Sequence, residues 1–488
     1  MSTVRVADEP AARGSLKSRV EARSIDYVPL DERRGRLSDQ ATIWFAGSAH
    51  LLSLATGALA IGLGLNLFWS IVALLLGTVI GTIPVAAHAT QGPHLGLPQM
   101  VQSRPQFGRY GALFIWAIAI AVYWGYVVLD GNLLGSTAHQ LGWGSAPVWA
   151  IITGALAVLL AIFGYHFLHV AQRWITIALV LVLAVYVIGL VTGGHFPTGA
   201  FSPSVGFSWE PFLVVVSAAT AYQLSWAFFV SDYSRYLPPD THKGKLMAWT
   251  WLGLLGTFTF EAVGAVGAAL LPKDDIITAL HETGDYVFPG MGAIMLIVGG
   301  LGLLGLTAMC IYGGSLTLIT ALDSVRPIRP SVSARMVTIL LVGVTGTIAG
   351  ASLSTDFLNN QFYTILTVLG YMMAPWTSIN LTDFFVVRKG HYSVREMFKP
   401  DGIYGLWNFR GIAAYVITFV IMLPFMYLTF YQGFVATALN GIDIAFFVGV
   451  PVGCVTYWLL CRNLRLSDEA AVVDESDRDL QVLAEPIA

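Results

Sequence analysis

Apolar residues in this chain come in long blocks separated by short polar or charged breaks. A helix needs about 20 mostly apolar residues to cross the hydrocarbon core of a bilayer. Twelve blocks reach that scale, near residues 41–66, 69–89, 111–137, 148–165, 174–193, 211–231, 246–271, 287–320, 333–350, 361–387, 411–431 and 440–461. They predict twelve spanning helices, the eighth long enough to tilt or to carry a helical extension. The basic residues test this count independently, because Lys and Arg crowd cytoplasmic loops. With the N-terminus placed inside, every Lys and Arg except Lys273 falls on an inner segment. The pattern therefore predicts a multi-pass protein of a cell membrane, with both termini cytoplasmic.

Composition narrows the class. Of 488 residues, 56% are hydrophobic and 11% charged, against about 25% charged in soluble domains. The charges also gather at the ends, with 15 in residues 1–40 and 9 in residues 463–488. The interior cannot clothe a water-facing surface, and a formal charge of −3 leaves no basic excess for nucleic acid. Residues 1–24 and 463–488 read as disordered cytoplasmic tails, flanking one twelve-helix domain over 25–462. The N-terminal segment has no apolar core of the signal-peptide kind. Cys310, Cys454 and Cys461 lie in apolar runs without metal-ligand spacing, so no disulfide or metal chemistry is suggested.

Polar residues inside a span are expensive and mark candidate sites. In the first block, Ala46-Gly47-Ser48-Ala49-His50 interrupts the apolar sequence, through helix packing on small residues or through a polar contact at His50. In the third, Tyr126 and Asp130 stand one turn apart on one face, either as part of an aromatic packing cluster or as a stacking ring beside a polar edge. The sixth places Tyr222, Gln223 and Trp226 at mid-depth, as interhelical glue or as a ligand surface. Glu261 in the seventh is a proton carrier or a structural partner. The first and sixth blocks share the anomaly, each opening a set of five, and paired interrupted helices point to a transporter binding site. There is no filter-like motif for a channel and no nucleotide-binding glycine loop. His166 and His169 alone do not make an enzyme, and a sensor would want a signalling domain that the sequence does not carry.

Several ordered stretches resemble the nucleobase–cation symporter family one, the purine, cytosine, allantoin and thiamine permeases. They are Val28-Pro29-Leu30-Asp31-Glu32-Arg33-Arg34-Gly35 with Trp44-Phe45; Gly92-Pro93 through Gly96-Leu97-Pro98-Gln99 to Arg104 and Phe107-Gly108; Ser231-Asp232-Tyr233-Ser234-Arg235-Tyr236-Leu237-Pro238; and Ile379-Asn380-Leu381-Thr382-Asp383 with Val387 to Tyr392. The resemblance implies an all-α integral membrane protein of the leucine-transporter-like fold, with a 5+5 inverted repeat plus two C-terminal helices. It also implies alternating access and coupling to a cation gradient. Tyr126 and Asp130 fall where relatives carry a tryptophan and an amide. Tyr222, Gln223 and Trp226 fall at the sixth-helix site, and His50 at the first-helix contact. Ala46 and Ala49 fall at backbone-carbonyl positions for a coupling ion. Where sodium-coupled relatives carry a hydroxyl pair, this chain has Thr307 alone, which favours protons carried by Asp130, Glu261 or His50.

The sequence thus predicts a cation-coupled symporter, not an enzyme. Its expected cargo is a nucleobase such as cytosine or a purine, with allantoin, a hydantoin or a thiamine-like vitamin as alternatives. The other expected partners are a coupling cation (H+ or Na+) and the lipid bilayer. No cofactor and no nucleic acid are expected, and the protein is expected to be a monomer.

Overall fold

A computed structural model describes residues 25–482 apart from 164, 197, 329–330 and 354–362. The predicted tail over residues 1–24 lies outside the described residues, as do residues 483–488, the opening of the tenth predicted block and the side chains of His166 and His169.

The first block forms two helices, α1 (Leu37–Gly47) and α2 (Leu51–Gly62), bent by 62° at the link between them. Next come α3 (Leu67–His88), α4 (Ala112–Gln140), α5 (Ala146–Phe163) and α6 (Tyr165–Thr192). The sixth block begins as α7 (Trp209–Leu224) and tightens into a 3-10 turn at Ser225–Phe228. The seventh divides into α8 (Lys243–Leu254) and α9 (Gly256–Leu270). A helix that the apolar pattern did not announce, α10 (Ile276–Asp285), precedes the 35-residue α11 (Met291–Val325). The remainder is α12 (Val332–Ser352), α13 (Tyr363–Thr382), α14 (Phe409–Met422), α15 (Ala445–Cys461) and α16 (Ser467–Val482). Among the described residues, eight helices are long and apolar enough to cross a membrane, or nine with the bent pair taken as one span. There is no strand among them, only an isolated bridge between Tyr427 and Gln432.

Apolar side chains exposed one turn apart, such as Ile151, Leu156 and Leu159 on α5 and Val337, Leu341 and Val344 on α12, give these helices a lipid-facing stripe. Their other faces pack inward: α1 lies on α8, α2 on α9, α3 on α7, and α4 on α11.

Two expectations are corrected. The eleventh block does not stay helical to residue 431. Pro424 has no N–H to continue the ladder, and α14 gives way to a 3-10 turn at Leu423–Phe425. The C-terminal segment is not disordered over its described part. In α16, Val473, Ser476 and Leu480 make one buried face, while Glu469 meets Arg388 at 3.1 Å and Asp479 pairs with Arg395. Docking onto the 388–399 segment orders a sequence that has no apolar stripe wide enough to fold alone.

One end of the bundle is polar and buried. Arg104 pairs with Asp323 at 3.1 Å, both buried. A row of buried amides runs across it: Gln99 Nε2 donates to Gln91 Oε1 (2.8 Å), Gln91 Nε2 to Asn380 Oδ1 (2.7 Å), Asn380 Nδ2 to Gln106 Oε1 (3.3 Å), and Gln106 Nε2 to Asp383 Oδ2 (2.6 Å). At one end, Gln99 accepts from the Ser231 backbone N–H at 3.2 Å. At the other, Asp383 also takes Arg388, Tyr392 and Tyr457. Segments that follow α3, α7 and α13 are thereby joined.

Candidate functional site

The site is built on the break in the first span. Ala46, Gly47, Ser48 and Ala49 offer little side-chain packing to hold helix geometry, and Ser48 Oγ turns back onto the Trp44 carbonyl (2.9 Å) and toward Thr257 Oγ1 (2.7 Å). His50 is fully extended and caps α2, its Nδ1 accepting from the Ser53 N–H at 3.3 Å. α11 reaches the break because residue 302 is glycine: a Cβ there would overlap the Ala49 carbonyl. The first-span interruption expected from the sequence is present, and the sixth span loses α-helical regularity at Ser225–Phe228.

Side chains from four elements converge beside these two irregular segments. Ser53 Oγ is hydrogen-bonded to Tyr222 Oη at 3.2 Å and lies 3.5 Å from His50 Nε2. Tyr126 Oη donates to Ser225 Oγ at 3.1 Å, and Ser225 Oγ donates onward to the Tyr222 carbonyl at 2.7 Å. Asp130 is completely buried. Its Oδ2 accepts from Thr307 Oγ1 at 3.1 Å, while the same hydroxyl also reaches the Leu303 carbonyl at 2.8 Å.

The Trp226 indole sits edge-on to Trp44, with ring centroids 5.9 Å apart, and near Gly47. Gln223 is fully buried with its Cβ against Gly81 of α3. Asp130 Oδ1, both amide atoms of Gln223 and Trp226 Nε1 are buried without a hydrogen-bond partner. Buried polar groups are nearly always paired in native proteins, and an orphaned one costs about 1–3 kcal/mol. Orphaned atoms of this kind are what a polar ligand would satisfy.

Of the residues singled out from sequence, His50, Tyr126 and Tyr222 are joined through Ser53 and Ser225, Asp130 and Thr307 form a separate hydrogen-bonded pair, and Trp226 lies beside Gly47. Glu261 stands apart, accepting from Thr78 Oγ1 of α3 at 2.9 Å, with its other oxygen unpartnered. The Ala46 carbonyl does face a neighbour, the amide of Gln172 on α6 at 3.0 Å. Sequence reasoning missed Ser53, Ser225, Thr78 and Gln172. Ser53 carried a signal, because it follows the capping histidine by three residues. Gln172 carried none. Among the described residues, no cluster of three or more His, Cys, Asp or Glu side chains has metal-binding geometry.

Comparisons with known proteins agree on one family. The profile described as "Permease for cytosine/purines, uracil, thiamine, allantoin" matches residues 27–449. The putative purine-cytosine permease YxlA of Bacillus subtilis is 33% identical over 452 residues, covering 91% of this chain and 96% of that protein. The purine-cytosine permease FCY2 of Saccharomyces cerevisiae is 24% identical over 477 residues, covering 91% and 86%. Among solved structures, Mhp1, a nucleobase-cation-symport-1 family transporter in a closed conformation with bromovinylhydantoin bound, superposes with a TM-score of 0.76 at 17% identity, over 92% of this chain and 98% of that one. The all-helical fold is that of Mhp1, the leucine-transporter-like architecture.

Proposed function

The chain belongs to the permease family for cytosine and purines, uracil, thiamine and allantoin, and from that premise we propose that it imports a nucleobase such as cytosine or a purine by alternating access, coupled to an inward cation gradient. The observation that carries this reading is the pair of irregular segments in the first and sixth spans, at Ser48–His50 and Ser225–Phe228, with unpartnered buried polar atoms on Asp130, Gln223 and Trp226. A planar heterocycle stacked against Tyr126 and Trp226 would present its N–H and carbonyl edge to Asp130, Gln223 and His50. An aromatic pair of this kind contributes about 0.5–1.5 kcal/mol beyond area burial, so the polar edge dominates the choice among bases. Asp130 accepts and does not donate when ionised, which suits a ring N–H or exocyclic amino group.

We assign coupling to protons. Asp130, bridged to Thr307 of α11, can take and release a proton between the two open states, with Glu261 and His50 as further candidates. The architecture that goes with this reading has twelve spanning helices, a 5+5 inverted repeat, cytoplasmic termini, a place in the cell membrane and a monomer as its working unit. Allantoin or a hydantoin is the second reading, favoured by a relative named hydantoin permease, from Microbacterium maritypicum, at 23% identity over 425 residues. A thiamine-like vitamin stands behind both.

The test is radiolabelled uptake in cells lacking their own permeases, with cytosine, adenine, allantoin and thiamine compared. Wild type is expected to accumulate a base, and Asp130→Ala and Trp226→Ala to lose most of that uptake. Undiminished uptake in both variants would remove this site.

A further inference from the structure

Three carbonyl-bearing segments meet on the far side of the break: the last turn of α1 at Ala46, the Ser48–His50 link, and α11 from Gly302 to Thr307. Freed carbonyls at a broken helix are where a transporter coordinates a monovalent metal ion, and such hard cations ask for several oxygen ligands. The residues of this chain do not fit one. Gln172 enters from α6, and its Nε2 donates to the Ala46 carbonyl at 3.0 Å and to the Gly302 carbonyl at 3.2 Å. The orientation of the amide follows from its partners, since reversal would set Oε1 against two carbonyl oxygens. Gln172 is buried, and its Oε1, turned toward Gly305, has no hydrogen-bond partner, so the amide meets the carbonyls of Ala46 and Gly302 through its N–H groups alone. Residue 305 of α11 completes the arrangement: a Cβ there would overlap Gln172 Oε1, and glycine alone leaves room. The Thr307 hydroxyl is already shared between Asp130 and Leu303, and that of Ser48 is engaged with Trp44 and Thr257.

We propose that the side-chain amide of Gln172 stands in for a coupling metal ion between α1 and α11, fixing the broken first span to α11, so that sodium has no part in this chain's cycle. The inference rests on the transporter reading above and deepens its assignment of protons. Gln172 is a positioning residue, acting through the carbonyls of Ala46 and Gly302.

Two measurements test it. Purified wild type is melted in sodium chloride and in choline chloride of equal ionic strength, and uptake is followed in the same two salts. Equal midpoints and equal uptake are expected; a higher midpoint or faster uptake in sodium overturns the proposal. Then Gln172→Met, near in size but without donors, is compared with Gln172→Lys, which returns N–H donors to the same place. Uptake in choline should fall about tenfold in the methionine variant through loss of two hydrogen bonds, and recover in the lysine variant. A methionine variant that transports like wild type in choline refutes it. If the methionine variant fails to fold, the wild-type salt comparison decides. If no heterocycle is carried by any variant, the functional reading fails, while the melting comparison still judges Gln172 by itself.

Discussion

Replacing Asp130 with asparagine changes one atom of the site and leaves its shape. Thr307 Oγ1 now donates to Asp130 Oδ2 at 3.1 Å, and an asparagine oxygen can accept that same bond. The other carboxylate oxygen, buried and without a partner, becomes an –NH2 donor. A substrate N–H that met an acceptor would then face a donor. Hydrogen bonds to charged groups contribute about 1.5–3 kcal/mol, so apparent affinity should weaken by about ten- to a hundredfold. Asp130→Ala should cost little more, because the Thr307 hydroxyl keeps its 2.8 Å bond to the Leu303 carbonyl. The assay is uptake against substrate concentration, paired with ligand-induced thermal stabilisation of the purified protein, since a ligand bound to the folded state raises its apparent stability. Proton coupling adds a second expectation. The asparagine variant should exchange substrate across the membrane in counterflow but fail to accumulate it under a pH gradient. An asparagine variant that accumulates substrate with wild-type affinity would refute both roles of Asp130.

Three other perturbations have defined outcomes. Gly302→Ala drives a Cβ into the Ala49 carbonyl, whereas Gly300→Ala meets only Leu134 and Leu51 methyls at 3.6 and 3.9 Å. The first should lose about 1–3 kcal/mol by overpacking together with uptake, and the second should melt and transport like wild type. Arg104→Ala removes the guanidinium that faces the fully buried Asp323 Oδ2, and breaking such a pair costs about 3–5 kcal/mol; a midpoint unchanged in a thermal melt would contradict the packing described. Glu469→Gln removes a partner of Arg388 at a partly exposed position, where an ion pair contributes about 1 kcal/mol or less. Global stability should hold, but limited proteolysis should cut α16 faster than in wild type.

Most of the all-helical fold was legible because a bilayer imposes a length on every apolar run. The break at Ser48–His50 was legible for a related reason, as four small residues and a histidine are costly in lipid unless they serve something. What could not be read depends on distant neighbours. Docking of α16 needs Arg388 and Arg395, about eighty residues earlier in the chain. The grouping of Glu261 with Thr78, and not with Asp130, is set by how α3 meets α9. Gln172 stands beside Arg173 at what reads as a loop boundary, and only the approach of α6 to Gly305 turns it inward. Asp130 and Tyr126 were found from helical spacing, but their partners Thr307 and Ser225 belong to other helices, and spacing within one helix cannot supply them.

The amide row from Gln99 to Asp383 has a direction: each nitrogen gives to the next oxygen, ending on a carboxylate. Its ends have second partners at hand: Gln99 Nε2 also lies 3.2 Å from His88 Nδ1, and Asp383 Oδ2 also accepts from Tyr392 at 2.9 Å. Separating the segments that follow α3 and α13 therefore means exchanging a series of buried amide bonds for bonds to solvent, a cost spread along the row and not concentrated at one link.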